Sequence, residues 1–366
     1  MALSSLERAI SIAFMILFVV FQFSHNVASD STEEAEALLK WKASLQNQNS
    51  SLLPSWILSP ANATNNSTHC ADWSGISCNQ DGRINKLNLS VSGLKGTLDG
   101  LPFLSFLFLE YVDFGKNNLF GVIPVQICNL SKLKYLDLSV NVFSGKIPED
   151  IGLLRNLETL HLNNNQLNGS IPRELGQLTS LNDLTLSNNH LDGSIPTSLG
   201  NLSNLGRLYL YNNSLSSSIP PEIGNLSNLV TLDLSINSLS DQIPSGFFEN
   251  LRNLSLLYMH KNKLFGSIPY EIGNMKSLLI LSLHGNQLSG HIPNSFANLS
   301  NLVGLSLGDN AFFGSIPYEI GNLKSLRNLS LHDNQLSGHI PNTFANLSNL
   351  VHLSLRNNAL FGPILQ

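Results

Sequence analysis

The chain has 366 residues, 42% hydrophobic and only 12% charged, with a net charge of −5. That balance is too apolar for disorder and, with 26 Gly and 15 Pro, too interrupted for a bundle of membrane helices, so a packed protein is expected. The 20 Lys and Arg are scattered rather than gathered, which excludes the electrostatic footprint of a nucleic-acid partner.

Ile10 to Phe23 is apolar apart from Ser11 and Gln22, follows Arg8 and precedes Val27-Ala28-Ser29, so residues 1–29 read as a secretory signal cleaved before Asp30. A membrane anchor is the competing reading, but the run falls short of the about 20 apolar residues needed to cross the hydrocarbon. No later segment is long and apolar enough to span, so the mature chain is expected in the secretory pathway, with no membrane span.

Residues 30–83 read as a cap. Within Glu33 to Leu45, Ala37, Leu38, Trp41 and Leu45 recur at helical spacing, and Trp56 and Trp73 follow. Cys70 and Cys78 enclose a loop short enough to close as a disulfide in an oxidising compartment. Cys128 is left over and, standing where a repeat wants an apolar residue, is expected to be a buried thiol. Zinc would need more Cys or His at ligand spacing, so no metal and no cofactor is expected.

Residues 84–366 repeat one template, L-x-x-L-x-L-x-x-N-x-L-x-G-x-I-P, seen cleanly from Leu157 to Pro172. Its Asn recurs at Asn117, Asn141, Asn165, Asn189, Asn213, Asn237, Asn262, Asn286, Asn310, Asn334 and Asn358, always 24 apart except for one step of 25. A degenerate first copy carries Ser92 in that place, making twelve. The period-two leucines point inward from a short strand while the intervening residues face out, and the strands stack into one parallel sheet. The Asn amide can satisfy backbone groups that the inner turn leaves unpaired, forming a ladder. The template Gly suits a turn with positive φ, and Pro, which cannot donate, an extended exit on a sheet edge. Ser217 and Asp241 replace that Gly, so strain or an altered turn is expected there. One coil cannot stand alone, which is why such chains need many copies and caps.

The chain ends inside a repeat without a second cysteine pair, and an uncapped leucine layer would face water, so a truncated or partial product of a longer gene is expected. Ser267 to Gly314 resembles Ser315 to Gly362 at a shift of 48, a duplication that lengthens the surface without adding chemistry.

With its L-x-G-x-I-P half, the template resembles the plant-specific class of leucine-rich repeats. The run Glu34-Ala-Glu-Ala-Leu38-Leu39-Lys-Trp41-Lys, with Cys70, Trp73, Gly75 and Cys78, is similar to the N-terminal cap of plant leucine-rich-repeat receptor-like kinases and receptor-like proteins. The resemblance runs from about Asp30 to the last residue. It implies an α/β solenoid, a right-handed leucine-rich-repeat superhelix of about twelve 24-residue repeats with a parallel concave sheet, a disulfide-stapled N-terminal cap and no C-terminal cap. Members of that family are single-pass plasma-membrane receptors whose outer solenoids recognise peptides, hormones or co-receptors and whose inner kinase signals. Neither the membrane helix nor the kinase occurs in this sequence, so no enzyme activity is expected. The location implied is extracellular or apoplastic, or the outer face of the plasma membrane if the gene continues into a membrane helix.

Asp113-Phe114-Gly115 spells a kinase motif, but it falls on template positions with no glycine-rich loop, strand lysine or H-R-D loop beside it. The histidines His161, His190, His291 and His339 read mostly as solvated surface residues without carboxylate partners at a fixed spacing. Function is better sought in the outward columns of the concave face. The column two residues before the template Asn runs Asn163, Ser187, Tyr211, Ser235, His260, His284, Gly308, His332 and Arg356, and the neighbouring column adds Tyr209 and Tyr258. Tyr and Arg favour binding hot spots, so Tyr209, Tyr211, Tyr258, His260, Lys261, His284, His332 and Arg356 are the candidate contacts for a peptide or protein ligand and a co-receptor, against the blander reading of a polar solvated face. Imidazoles titrate near pH 6.5, so binding in this column is expected to vary between pH 5 and 7.5.

Fourteen sequons, at Asn49, Asn62, Asn65, Asn66, Asn88, Asn129, Asn168, Asn201, Asn212, Asn225, Asn253, Asn298, Asn328 and Asn346, mark glycosylation candidates expected on loops and flanks, leaving the sheet mostly bare except at Asn212. The expected function is that of an extracellular binding module in plant receptor signalling. The alternative is a secreted inhibitor of cell-wall-degrading enzymes similar to the polygalacturonase-inhibiting proteins, although those carry paired cysteines at both ends.

Overall fold

A computed structural model describes residues 31–46, 52–57 and 69–363. The predicted signal segment and the sequons Asn49, Asn62, Asn65 and Asn66 lie outside the described residues. The leucine pattern dictates the rest. In the coil containing strand Thr159–His161, Leu157, Leu160, Leu162, Leu167 and Ile171 are all buried, while Thr159 and His161 face outward. Thirteen short strands pair along the chain into the concave sheet, from Ile76–Cys78 to His352–Ser354. Twelve of them are parallel, in a register that sets Leu160 beside Leu136 and Leu184. The thirteenth, Ile76–Cys78, belongs to the cap and runs antiparallel to Ile84–Asn88. A flanking layer of short parallel strands follows the inner turn, in runs of five and seven.

Every template asparagine turns its amide inward. Asn189 Nδ2 donates to the Leu162 carbonyl of the preceding coil (3.0 Å) and the Leu186 carbonyl of its own (3.1 Å), while Oδ1 accepts from Leu167 N–H (3.0 Å). The same three bonds recur from Asn141 to Asn358, and Asn117 completes the first degenerate coil by accepting from Ser92 and Leu94 N–H. The residue before each of these asparagines has positive φ, including the β-branched Val140 (54°) and Ile236 (53°). Positive φ also holds where Ser217 (67°) and Asp241 (78°) stand for the template Gly: the turn is unaltered, so the side chain is strained.

On the convex side, single turns of 3-10 helix such as Arg173–Gln177, which sequence periodicity did not foresee, follow the Ile-Pro pairs, except that Ile243-Pro244 is followed by plain turns. Pro172 is extended (φ −62°, ψ 131°), ends the flanking ladder and opens the 3-10 turn, where its missing N–H costs nothing. A Cβ on Gly176 would lie 2.3 Å from the Ser198 carbonyl oxygen, so glycine sets the coil spacing there. The single 25-residue step is absorbed on this side, where Phe247 and Phe248 both bury edge to face, and the sheet register passes undisturbed from Asp233 to Tyr258.

The cap closes the first coil. Helix Ser31–Ser44 buries Ala35, Leu38 and Trp41, with Leu45 just beyond it, while Ala37, expected in that set, is only partly buried. Trp56 stacks on Trp73 at 5.3 Å, and Cys70 is bonded to Cys78. Glu34 is fully buried, gripping Arg83 through Nε (3.1 Å) and Nη2 (2.9 Å) and accepting from Ile84 N–H (2.9 Å). Cys128 is a buried free thiol, and burial pushes it up to about 12.

Asn189→Ala strands three backbone groups and is expected to cost about 3 kcal/mol, whereas Ser217→Gly relieves strain and gains about 1 kcal/mol; urea unfolding followed by circular dichroism reads both. Glu34→Ala, which leaves Arg83 without its carboxylate, is expected to cost about 3 kcal/mol in the same assay.

Candidate partner-binding face

Parallel strands about 4.8 Å apart turn residues one coil apart into contact neighbours, so the outward columns are ladders of touching side chains. The face divides into three stretches.

In the first, Tyr111 stacks flat on Tyr135 (centroids 4.3 Å, 5°), with Lys86 Nζ 4.4 Å from the Tyr111 ring. The tyrosine hydroxyls point to Asp113 and Asp137, and Asp113 Oδ1 also accepts from Gly115 N–H. This fixes the Asp-Phe-Gly run as structure, with Phe114 buried beneath. His161 lies between two carboxylates, Nδ1 3.4 Å from Asp137 and Nε2 3.5 Å from Asp183, and Arg207 Nη2 closes the row 2.8 Å from Asp183. Only an imidazolium can donate on both sides. Burial opposes its charge, but the two carboxylates overcome that and raise His161 to about 9, while the same bonds hold Asp137 and Asp183 below the usual carboxylate range against their own burial. His161 is therefore not a solvated bystander: its partners stand 24 residues before it and 22 after it, where the register brings them alongside. No candidate contact was expected in this stretch, though the recurrence of Asp113, Asp137 and His161 at 24-residue spacing was the available signal.

The middle stretch gathers most of the expected contacts. Tyr209 and Tyr258 flank Asp233 in one column, in direct register. Tyr258 meets His260 edge to face at 6.3 Å, and His260 stacks on His284 at 4.5 Å and 13°. Ser282 Oγ lies 3.4 Å from His260 Nδ1 and 3.0 Å from His284 Nδ1. Burial, then Lys261 for His260 and then His260 and Lys261 for His284, holds both imidazoles below their ordinary range. The row thus stays neutral to lower pH than an isolated imidazole would. Tyr211 accepts from Asn188 Nδ2 (3.3 Å), and Lys261 is exposed. Beside these coils, Asn182, Asn204, Gly206, Arg207, Val230 and Thr231 line an open groove of about 790 Å³.

The third stretch is separate. The His332 ring covers Gly308, where a Cβ would lie 2.6 Å from Nε2, and its Nδ1 sits 2.7 Å from Asp333. Asp309, His332 and Asp333 come within 4.8 Å of one another, but Arg356 Nη2, 3.3 Å from Asp333, already supplies that corner with a cation.

His190 is exposed on the flanking layer, and His291 and His339 pack on Phe313 and Phe361 (4.8 and 4.2 Å) there, off the concave face. Among the described sequons, Asn129, Asn201, Asn225, Asn298 and Asn346 end convex 3-10 turns, Asn253 lies in the loop ahead of strand Leu256–Tyr258, and Asn168 is on the flanking layer, all exposed. Asn88 and Asn328 lie in concave strands, so Asn212 is not alone on that face. The Asn212 side chain donates to Asn188 Oδ1 (2.7 Å).

The Leucine-rich repeat region family matches residues 90–257, the Leucine rich repeat N-terminal domain residues 31–79, and the Leucine Rich Repeat residues 277–299 and 325–347. A probable leucine-rich-repeat receptor-like protein kinase of Arabidopsis thaliana is 48% identical over 115 residues, which is 31% of this chain and 10% of that protein. Among solved structures, PEPR1 with AtPEP1 aligns with a TM-score of 0.79 and 34% identity over 90% of this chain and 49% of the other. The Arabidopsis HAESA ectodomain with an extended IDA peptide hormone aligns with a TM-score of 0.72 and 32% identity over 90% of this chain and 58% of the other. The chain thus spans about half the length of these solved ectodomains, and its aligned part is a tenth of the curated kinase. No described helix is long and apolar enough to cross a membrane.

His161, raised from 6.5 to about 9, stabilises the fold fully below pH 6.5, and that contribution is lost between pH 6.5 and 9. The depressed Asp137 and Asp183 contribute above their ordinary pKa and lose it as pH falls through their folded values. A shift of that size corresponds to about 3 kcal/mol, and the long contacts reduce the expectation to about 2. His161→Gln should flatten the decline of the urea midpoint from pH 6.5 to 9.

Proposed function

Since this chain belongs to the leucine-rich-repeat proteins of the plant receptor type, with their N-terminal cap, we propose that it is the extracellular binding portion of a plant receptor, taking an extended peptide across its concave sheet. The observation that carries this reading is the row of outward side chains from Tyr209 to His284, in which Tyr258 packs on His260 and His260 on His284 over parallel strands that keep one register from Arg207 to Ser306. Rigid aromatic and imidazole groups give contact area at low conformational cost, and a straight ladder of columns matches an extended backbone. PEPR1 and HAESA were solved with a peptide bound, which supports the same mode here over inhibition of an enzyme. The Cys70–Cys78 bond, the sequons and the apolar run at the start of the sequence support a place outside the cell. A co-receptor would join on the peptide-loaded face.

The secreted, glycosylated chain should retain peptides from a library of acetylated, amidated 13-residue sequences. Tyr258→Ala and His260→Ala are each expected to weaken the best retained peptide at least tenfold by calorimetry, and Tyr318→Ala on the convex side to leave it unchanged. Equal affinity in all three variants would remove the concave face from the reading.

A further inference from the structure

The column that holds Tyr209 and Tyr258 has between them a carboxylate with nothing to neutralise it. Asp233 sits in register with Tyr209 on one side and Tyr258 on the other. Its Oδ1 accepts from Ser235 N–H and Oγ, which fixes the carboxylate and leaves Oδ2 without a hydrogen bond among the described residues. The carboxylates of the first stretch are handled differently. Asp137 and Asp183 share His161, and Asp183 also takes Arg207. Arg207, the near cation, is directed away from Asp233 by its Nε and Nη2 contacts to Asp183, both 2.8 Å. Among the described residues Asp233 has no ion pair. Burial outweighs the two Ser235 bonds and holds its carboxyl above the usual range, as expected for a desolvated acid with no cation beside it.

We propose that Asp233, in register between Tyr209 and Tyr258, is the specificity-determining residue of the concave site and receives an arginine side chain of the peptide ligand. The proposal rests on the peptide-binding reading above. A half-buried carboxylate with no ion pair among the described residues is costly, and a cationic group of a ligand would relieve that cost. Two tyrosines in register on either side of Asp233, two strand spacings or roughly 10 Å apart, put aromatic rings within reach of a side chain that pairs with Oδ2. A guanidinium is planar, weakly hydrated and stacks on such rings while donating to a carboxylate, whereas an ammonium does the last alone. The groove along Gly206, Arg207, Val230 and Thr231 borders these coils and gives the rest of the peptide a path past the site.

The test uses the full secreted chain. Peptides retained from the 13-residue library are sequenced, and the best one is remade with citrulline for arginine, which keeps shape and removes charge. The expected results are an enrichment of arginine at one position and at least a tenfold loss of affinity with citrulline on the unmodified protein. On Asp233→Asn, which preserves the Ser235 bonds, the citrulline and arginine peptides should bind within about twofold of each other. Tyr258→Leu provides a second reading, with the arginine preference reduced several-fold at an unchanged thermal midpoint. A retained pool without arginine, or a citrulline penalty equally large on Asp233→Asn, overturns this inference and leaves peptide binding standing. Retention of no peptide overturns both.

Discussion

A coil of this fold buries carbonyl and amide groups that its own backbone cannot pair, and the template asparagine completes them from the next coil. The direction of the bonds has a consequence. Asn165 serves Leu138 and Phe143 of the coil before it, and Asn189 in turn serves Leu162 and Leu167. Each coil is therefore finished by its successor, and the interior polar groups form one chain of dependence. A carboxylate could not donate to the two carbonyls, and leucine could do neither half of the task. Ser92, in the first coil, reaches only the Ser90 carbonyl, and there the helix cap and the Glu34–Arg83 pair take over the closing role.

That inner ladder is what makes the outer face usable. Because the amide bonds lock successive coils in register, an insertion must go where no ladder runs, and the extra residue of the 25-residue step lies beside Phe247 and Phe248 on the convex side. The concave columns stay aligned through it, so Asp233 still lies between Tyr209 and Tyr258 although the coil on one side is longer. The cost is local strain. The turn into each asparagine demands positive φ even where the sequence supplies Val140 or Ile236, and the turn after it does so at Ser217 and Asp241.

What could be read from the sequence follows the same division. Leucines, asparagines and outward columns repeat at a fixed step, so fold and face were legible from spacing alone. Partnerships across coils were legible only in part. His161 stands one coil from Asp137, and the columns contained that pair without declaring that the ring would bridge both neighbours. The Glu34–Arg83 pair joins residues 49 apart across a non-repeating cap, where no period points. The convex-side 3-10 turns were missed because a single turn has no periodicity to detect. Asn88 and Asn328 were placed with the loop sequons although their positions in the template are strand positions.

Histidine shows how the sheet assigns different tasks to one residue type. His161 sits among carboxylates, gains charge and is spent on holding three coils together; His260 and His284 sit on each other beside Lys261 and are kept neutral. Acidification below pH 6.5 leaves the His161 bridge charged and puts like charges on the second pair, so the two halves of one face respond in different pH ranges. The same contrast bears on where a partner binds. Charges already paired, as along Asp137, His161, Asp183 and Arg207, must be parted before a ligand can use them, and parting them loses what they contribute to the fold. Groups without a partner carry no such penalty. Binding is thus favoured where the fold leaves its polar groups incomplete, which is the physical reason the proposed site is set around Asp233 rather than in the more heavily charged stretch beside it.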